Sequence, residues 1–256
     1  MSTASIENIK QLRSKLDAPY QDCVKALQMH ENDIEAASKW LKNQGKANVK
    51  NAKTEHGAIG FCMNQDLVAV AMVGCETDFV AINPEFISMV DELAQNAHDN
   101  PHDDSKSIEK FNEAAWVFKE AMKPEISYYH NSTPGKMSVY LHHNRTKLTV
   151  LYYEGDNEDV AQRITMQACA MKPTCVSVEQ VPPQVYQEMM ENAKQEALTS
   201  GKPPEIVDKI ATGKVKSMMK EFVLLEQSMF DDAKSTVGQI AEKANVRVIG
   251  FVNITL

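Results

Sequence analysis

The chain predicts an α+β fold, in which short antiparallel strands are segregated from helices. Three observations lead there. Residues 6–41 repeat apolar positions every three to four residues and hold no strand pattern. Two stretches, 57–75 and 136–153, consist of short apolar, β-branched runs separated by polar turns, the pattern of hairpins. Each is followed by a helical pattern, at 86–97 and at 160–168.

Ile6, Ile9, Leu12 and Leu16 make the first helix, closed by the Asp17-Ala-Pro19 turn. Asp22, Cys23, Val24 and Leu27 begin a second, which His30-Glu-Asn-Asp33 breaks. The Asp33 carboxylate suits the N-cap of a third. Ile34, Ala37 and Leu41 line that third helix, with Gly45 as its stop. A three-helix module of residues 1–45 buries little apolar surface, so it is marginally stable alone. Polar, basic residues without periodicity follow and predict a linker over 46–56.

The first core subdomain spans 57–135. Strands over 57–63 and 67–75 meet at Asn64-Gln-Asp66. Residues 76–80 read as a connection, and Asn83 caps a helix with Pro84 at its first position. Phe86, Val90, Leu93 and Ala97 are its buried stripe. Ile108, Phe111, Ala115, Phe118 and Met122 predict one further helix, and 125–130 a strand. The second subdomain, 136–180 with 226–256, repeats that order. Strands over 136–142 and 147–153 are joined through His143-Asn-Arg-Thr146, and an acidic helix start leads to Val160, Ile164 and Ala168. A helix over 235–244 and a strand over 246–254 close it. Residues 181–225 are an inserted antiparallel helical hairpin. Val185, Met189, Ala193 and Ala197 lie on one side of its first helix, Gly201-Lys-Pro-Pro204 turns the chain, and Ile206, Ile210 and Phe222 sit in the second.

Composition narrows function. With 27 basic against 35 acidic side chains and only four arginines, the chain lacks the basic face and guanidinium forks of nucleic-acid recognition. No direct nucleic-acid partner is expected. Residues 1–5 carry no leader pattern, and the longest apolar run, 67–75, has nine residues against the ~20 of a spanning helix. Five cysteines, odd in number and without C-x-x-C spacing, read as free thiols of a reducing compartment. Together these predict a cytoplasmic protein without membrane contact. No cofactor or metal motif is expected. The Gly-Lys pairs beginning at 45, 135, 201 and 213 lack the surrounding loop of phosphate binding. His142 and His143, as neighbours on a strand, point to opposite faces and cannot share a metal. Cys75 at a strand end is a candidate nucleophile, although an inert buried thiol is the commoner state of that residue.

Gly74-Cys-Glu-Thr-Asp-Phe-Val80 sets an Asp-Phe pair between a strand end and a helix start. From the residues alone two readings stand. In one, Asp78 satisfies turn N–H groups while Phe79 packs into the core, which burial statistics favour. In the other, Phe79 is an exposed anchor for a partner pocket, with Asp78 beside it.

Motifs in order along the chain resemble the elongation factor Ts family. Gln11-Leu-Arg13, Asp22-Cys23, Lys25-Ala-Leu27, Asp33-Ile-Glu-Ala36, Leu41 and Gly45 resemble its N-terminal UBA-like three-helix signature. Thr77-Asp-Phe-Val-Ala81 is similar to its core motif throughout, and Tyr140-Leu-His142 resembles its Tyr-x-His strand. Thr165-Met-Gln-Ala-Cys-Ala170 with Lys172-Pro173 resembles its next helix and turn. Ser200-Gly-Lys-Pro203, Glu205-Ile206, Leu225-Glu-Gln227 and Thr236-Val-Gly-Gln239 resemble its helical hairpin, exit and last helix. Three departures stand out. Leu16-Asp-Ala-Pro-Tyr-Gln21 replaces the usual Thr-Gly-Ala-Gly-Met-Met, and Gln167 stands where the family has histidine. The sequence ends at Leu256, where many members carry a further acidic helical module.

The resemblance implies guanine-nucleotide exchange on the translation GTPase elongation factor Tu, in a heterodimer or a higher-order complex. It implies no covalent chemistry and no cofactor beyond the partner's own GDP and Mg²⁺. Phe79 would intrude toward the partner's Mg²⁺ and phosphate region, with Asp78 as its polar companion and Thr77 and Val80 completing the motif. Arg13 and Tyr20 would lie on the N-terminal contact surface, and His142 and Gln227 on core motifs that approach the partner. A paralogous GTPase-binding module without exchange is the alternative. The altered 16–21 segment favours that alternative, and the intact 77–81 motif favours exchange. A thiol-dependent enzyme built on Cys75 is a third class, and it requires inactivation by a cysteine-directed reagent.

Overall fold

The computed structural model describes residues 5–16, 18, 20–48, 54–131, 135–201 and 203–256. The chain divides into two compact units: residues 1–130 with 144–146 and 256, and residues 131–143 with 147–255.

In the first unit, α1 (Ile6–Leu16), α2 (Tyr20–Met29) and α3 (Ile34–Asn48) pack through Ile9, Leu12, Cys23, Leu27, Ala37 and Leu41. Glu31 and Asn32 take positive φ values of 53° and 65°, which ends α2. Asp33 Oδ1 then accepts the Glu35 and Ala36 N–H groups at 2.9 and 3.1 Å and caps α3 as expected. Gly45 is not the stop it was expected to be. The helix runs through it to Asn48, a glycine inside a helix costing only about 1 kcal/mol. Residues 46–48 of the expected linker are therefore helical, while 49–53, like Asp17 and Pro19 of the expected turn, lie outside the described residues.

The sheet of this unit is β1 (His56–Met63), β2 (Leu67–Cys75) and β3 (Lys123–His130), antiparallel in the order β1-β2-β3. Asn64 Oδ1 accepts the Asp66 and Leu67 N–H groups at 2.8 and 2.9 Å, which fixes the β1–β2 turn. Between β2 and β3 come α4 (Asp78–Ala81), α5 (Pro84–Asp99) and α6 (Asp104–Ala115). Helix α5 buries Phe86, Val90 and Leu93 against Ala58, Ala71 and Val73 of the sheet. It crosses so close that a Cβ at Gly60 would stand 2.7 Å from Asp91 Oδ1 and 3.0 Å from the Val90 carbonyl oxygen. Arg145 ion-pairs with Asp91 and donates from Nε to the Ile59 carbonyl at 3.1 Å, tying residues 144–146 to β1 and α5. The helix expected through Met122 stops at Ala115. A 3₁₀ turn, Trp116–Phe118, and Lys119 at φ 55° reverse the chain, yet Phe118 and Met122 still reach the core.

The second unit repeats the plan, as the sequence pattern predicts. Strands β4 (Lys136–Leu141) and β5 (Lys147–Glu154) pair, α7 (Glu158–Met171) follows, and a last strand completes the sheet after an excursion through α8 (Pro183–Thr199), α9 (Pro204–Phe222), β6 (Ser228–Met229), β7 (Asp232–Thr236) and α10 (Val237–Lys243). That last strand, β8 (Arg247–Thr255), gives the antiparallel order β4-β5-β8. Leu151, Tyr153, Ile164, Ala168, Leu224 and Val237 form the core. Helices α8 and α9 are the expected hairpin, turning at Gly201 (φ 72°), with Lys202 outside the described residues. The buried stripe of α9 is Val207, Ala211, Val215 and Met219, and Phe222 packs half-buried against the same cluster. The small Ala193 and Ala211 share one cluster, so the helix seam selects size and spacing over hydrophobicity. The helix expected from 235 begins at Val237, because 232–236 pair as a strand with β6. Thr236 and Gln239 then form a reciprocal capping box.

Candidate partner-binding site

The connection expected over 76–80 is a helical turn. Thr77, in extended conformation, accepts the Val80 N–H on its Oγ1 at 3.3 Å and so starts α4. Six residues on from Thr77, Asn83 caps α5 by accepting the Glu85 N–H at 2.8 Å, with Pro84 behind it, as the sequence predicts. Between the two caps the side chains divide. Val80 and Ala81 pack against the first unit's core. Phe79 is 78% exposed and Ile82 72% exposed, three positions apart on one turn, and Asp78 is exposed beside them. The core that Phe79 would otherwise fill is occupied by Val73 and Phe86, both fully buried. Of the two readings the residues left open, the structure has the exposed one.

What holds the turn was not visible in the sequence. The Glu120 carboxylate accepts from the Glu76 and Thr77 N–H groups, each at 3.1 Å, and from the Thr77 hydroxyl at 2.6 Å. The Cys75 thiol donates to the Thr77 carbonyl oxygen at 3.3 Å. Cys75 itself is fully buried, and burial with the nearby Glu120 charge pushes its thiol up to about 11. A buried, protonated thiol is not an accessible nucleophile, which removes the physical basis of the thiol-enzyme reading.

Arg13 is exposed in the last turn of α1, and Tyr20, the first residue of α2, is 55% exposed. Both belong to the first unit, with Thr77 to Val80. His142 belongs to the second unit and is half-buried, its ring edge-on to Tyr140 at 6.4 Å. Its expected opposition to His143 does not hold. The strand ends at Leu141, alternation ends with it, and the two imidazoles lie 4.2 Å apart. Gln227 is not on the surface. It is 2% exposed, its Oε1 accepting from Gln167 at 3.0 Å and its Nε2 donating to the Glu221 carbonyl at 3.1 Å. Gln167 in turn accepts the Phe230 N–H at 2.9 Å. Gln167 thus organises a buried amide network.

A second ring cluster on the first unit joins His102 and His130, whose Nε2 atoms meet at 3.2 Å, one donating to the other. The Tyr128 ring lies tilted against His102, centroids 4.7 Å apart, and its hydroxyl donates to Asp104 at 2.6 Å; burial, then that carboxylate, pushes the hydroxyl up to about 12. Among the described residues no group of three or more histidine, cysteine or acidic side chains could hold a metal ion. No described helix is long and apolar enough to cross a membrane.

Fold and turn together define an α+β protein that presents a braced apolar pair, Phe79 and Ile82, to solvent. The family model for elongation factor Ts matches residues 76–256. Elongation factor Ts of Ralstonia nicotianae is 32% identical, covering 98% of this chain and 89% of the relative. The protein of that name from Corynebacterium urealyticum is 31% identical over 100% of this chain and 99% of its own length. That of Burkholderia multivorans is 31% identical over 98% and 90%. The chain belongs to the elongation factor Ts family and is a translation elongation factor.

Proposed function

We propose that the protein binds the GDP-bound translation GTPase elongation factor Tu in the cytoplasm and promotes GDP release, so that GTP can bind. The observation that supports this most is Phe79, exposed on a turn whose backbone is capped at both ends and braced from a remote segment. A rigid aromatic on such a mount loses little conformational entropy on docking. Inserted near the partner's Mg²⁺ and phosphates, it displaces the contacts that hold GDP, and the Asp78 carboxylate brings negative charge toward the phosphates and the metal. No bond is made or broken in this protein and no cofactor of its own takes part. Arg13 and Tyr20 extend the docking surface from the helical cluster of the same unit, and His142, on the second unit, is a separate candidate contact by the motif it belongs to. Gln227 acts from the interior, by holding the chain between α9 and β6.

The coupling is reciprocal. If the protein lowers GDP affinity on its partner, GDP lowers the partner's affinity for the protein by the same factor. Magnesium, which supports GDP, opposes the complex likewise. Release of a fluorescent GDP from the cognate GTPase tests the proposal, and acceleration by substoichiometric protein is the expected result. Binding of equal affinity with and without GDP, and no acceleration, selects the module that docks without exchange. The altered 16–21 segment, in which Tyr20 opens α2, favours that second reading.

A further inference from the structure

The turn that carries Phe79 is too short to hold itself. Inside it the Ala81 N–H reaches the Thr77 carbonyl at 3.3 Å and the Ile82 N–H reaches the Asp78 carbonyl at 3.2 Å. A helical nucleus of one turn is unfavourable in isolation. Val80 and Ala81 seat it on the core, and what fixes its first residues is Glu120, 43 positions away from Thr77. One carboxylate takes both backbone N–H groups that lead into the turn on Oε2, and the capping hydroxyl on Oε1. The Thr77 hydroxyl donates to Glu120 and so keeps its lone pair turned to the Val80 N–H.

Glu120 is itself on firm ground. Lys119 at φ 55° turns it back toward β2, and Met122 just beyond it is buried in the first unit's core. Phe118 before it packs edge-on against Phe86, with ring centroids 5.8 Å apart. The brace thus transmits the position of the core to a turn whose outward side chains, Phe79 and Ile82, stand mostly in solvent. We infer that Glu120 is a positioning residue for Phe79, fixing the direction in which the aromatic and Ile82 are presented to the partner. The inference rests on the reading that Phe79 acts on a nucleotide-bound GTPase.

Five proteins test it: the wild type and the variants Phe79→Ala, Glu120→Ala, Glu120→Gln and Phe79→Ala with Glu120→Ala. GDP release from the cognate GTPase, melting temperature and amide exchange at Glu76 and Thr77 are measured on each. Misplacing a reacting group costs up to about 100-fold, so Glu120→Ala is expected to slow release at saturating protein about tenfold. Amide exchange at 76 and 77 speeds up, and the melting temperature stays near wild type. Glu120→Gln keeps an acceptor for the two amides, and its release stays within about threefold of wild type, conservative rescue of a positioning role. In the Phe79→Ala background Glu120→Ala adds nothing, because the group it aims is gone. Two results overturn the inference: Phe79→Ala slows release while folded Glu120→Ala does not, or Glu120→Ala costs the same factor in both backgrounds, the mark of a structural role alone. If Phe79→Ala leaves release unchanged, the exchange reading itself falls and takes the inference with it.

Discussion

Two connections in this molecule do the same topological work and look nothing alike. Each leads out of a hairpin strand into the helix that covers its sheet. In the second unit, β5 gives way to α7 through Gly155, Asp156 and Asn157. Gly155 sits at φ 117°, where a Cβ would meet the Asn245 carbonyl oxygen at 2.3 Å, and Asn157 caps α7 by accepting the Val160 N–H at 3.1 Å. Its polar side chains face water, with Lys136 reaching Asp156 at 3.3 Å and Glu158 at 3.4 Å. In the first unit the chain takes a full helical turn before α5 and places Phe79 and Ile82 in solvent. The second connection shows how little is needed to join strand to helix. Beyond that minimum the first carries Val80 and Ala81 against the core and Phe79 and Ile82 in solvent, and exposed apolar side chains braced from a distance are what a partner would use.

The comparison can be broken at its scaffold, its network or its caps. The largest effect belongs to the scaffold: Phe86→Ala empties the space beneath α5 and is expected to lower stability by about 3–5 kcal/mol in denaturant unfolding. A loss well under 1 kcal/mol would mean that the core has room for Phe79 after all. In the second unit, Gln167→Ala strands Gln227 Oε1 and the Phe230 N–H, at a cost of roughly 1–3 kcal/mol, read in the same experiment. Smaller and sharper is a matched pair of caps. Thr77→Ala and Asn157→Ala each remove one capping acceptor, worth about 1 kcal/mol, yet only the first is expected to slow GDP release. Equal effects on release would erase the distinction between the two connections. The smallest effect is chemical. With its thiol pushed up to about 11, Cys75 stays protonated and unmodified when the folded protein meets a cysteine reagent near about pH 8. Rapid alkylation there would show the turn opening.

Local patterns carried much of this fold. Asn64, Asn83 with Pro84, Asp33, and the stripe of Phe86, Val90, Leu93 and Ala97 are short-range signals, and each stands where spacing and capping chemistry put it. Where interior contacts decide, the pattern misled. Ile206 and Ile210 signalled helix α9 but not its buried face, where the seam of two close helices admits Ala211. Phe118 and Met122 kept a helical rhythm after the helix had ended, because the core they reach is the same from a reversed chain. The site was half legible. Asp78 and Phe79 drew notice as a pair, but burial statistics pointed the aromatic inward, and the resemblance to a family pointed it outward. Glu120 left no local signal, since its three donors come from 43 or 44 residues away. Gln227 followed a motif onto an interior position, where its amide is consumed by Gln167 and Glu221.

The central claim is that Phe79 serves a partner and not the fold. Phe79→Ala, compared with wild type in a thermal melt and in GDP release from the cognate GTPase, tests it directly. With Val73 and Phe86 already filling the core, the melting temperature is expected to stay within about 3 °C of wild type. Loss of an aromatic anchor worth about 2 kcal/mol should slow release roughly thirtyfold. A melting temperature lowered by 10 °C or more, roughly what loss of a core aromatic would bring, with release intact per folded molecule, would contradict the account.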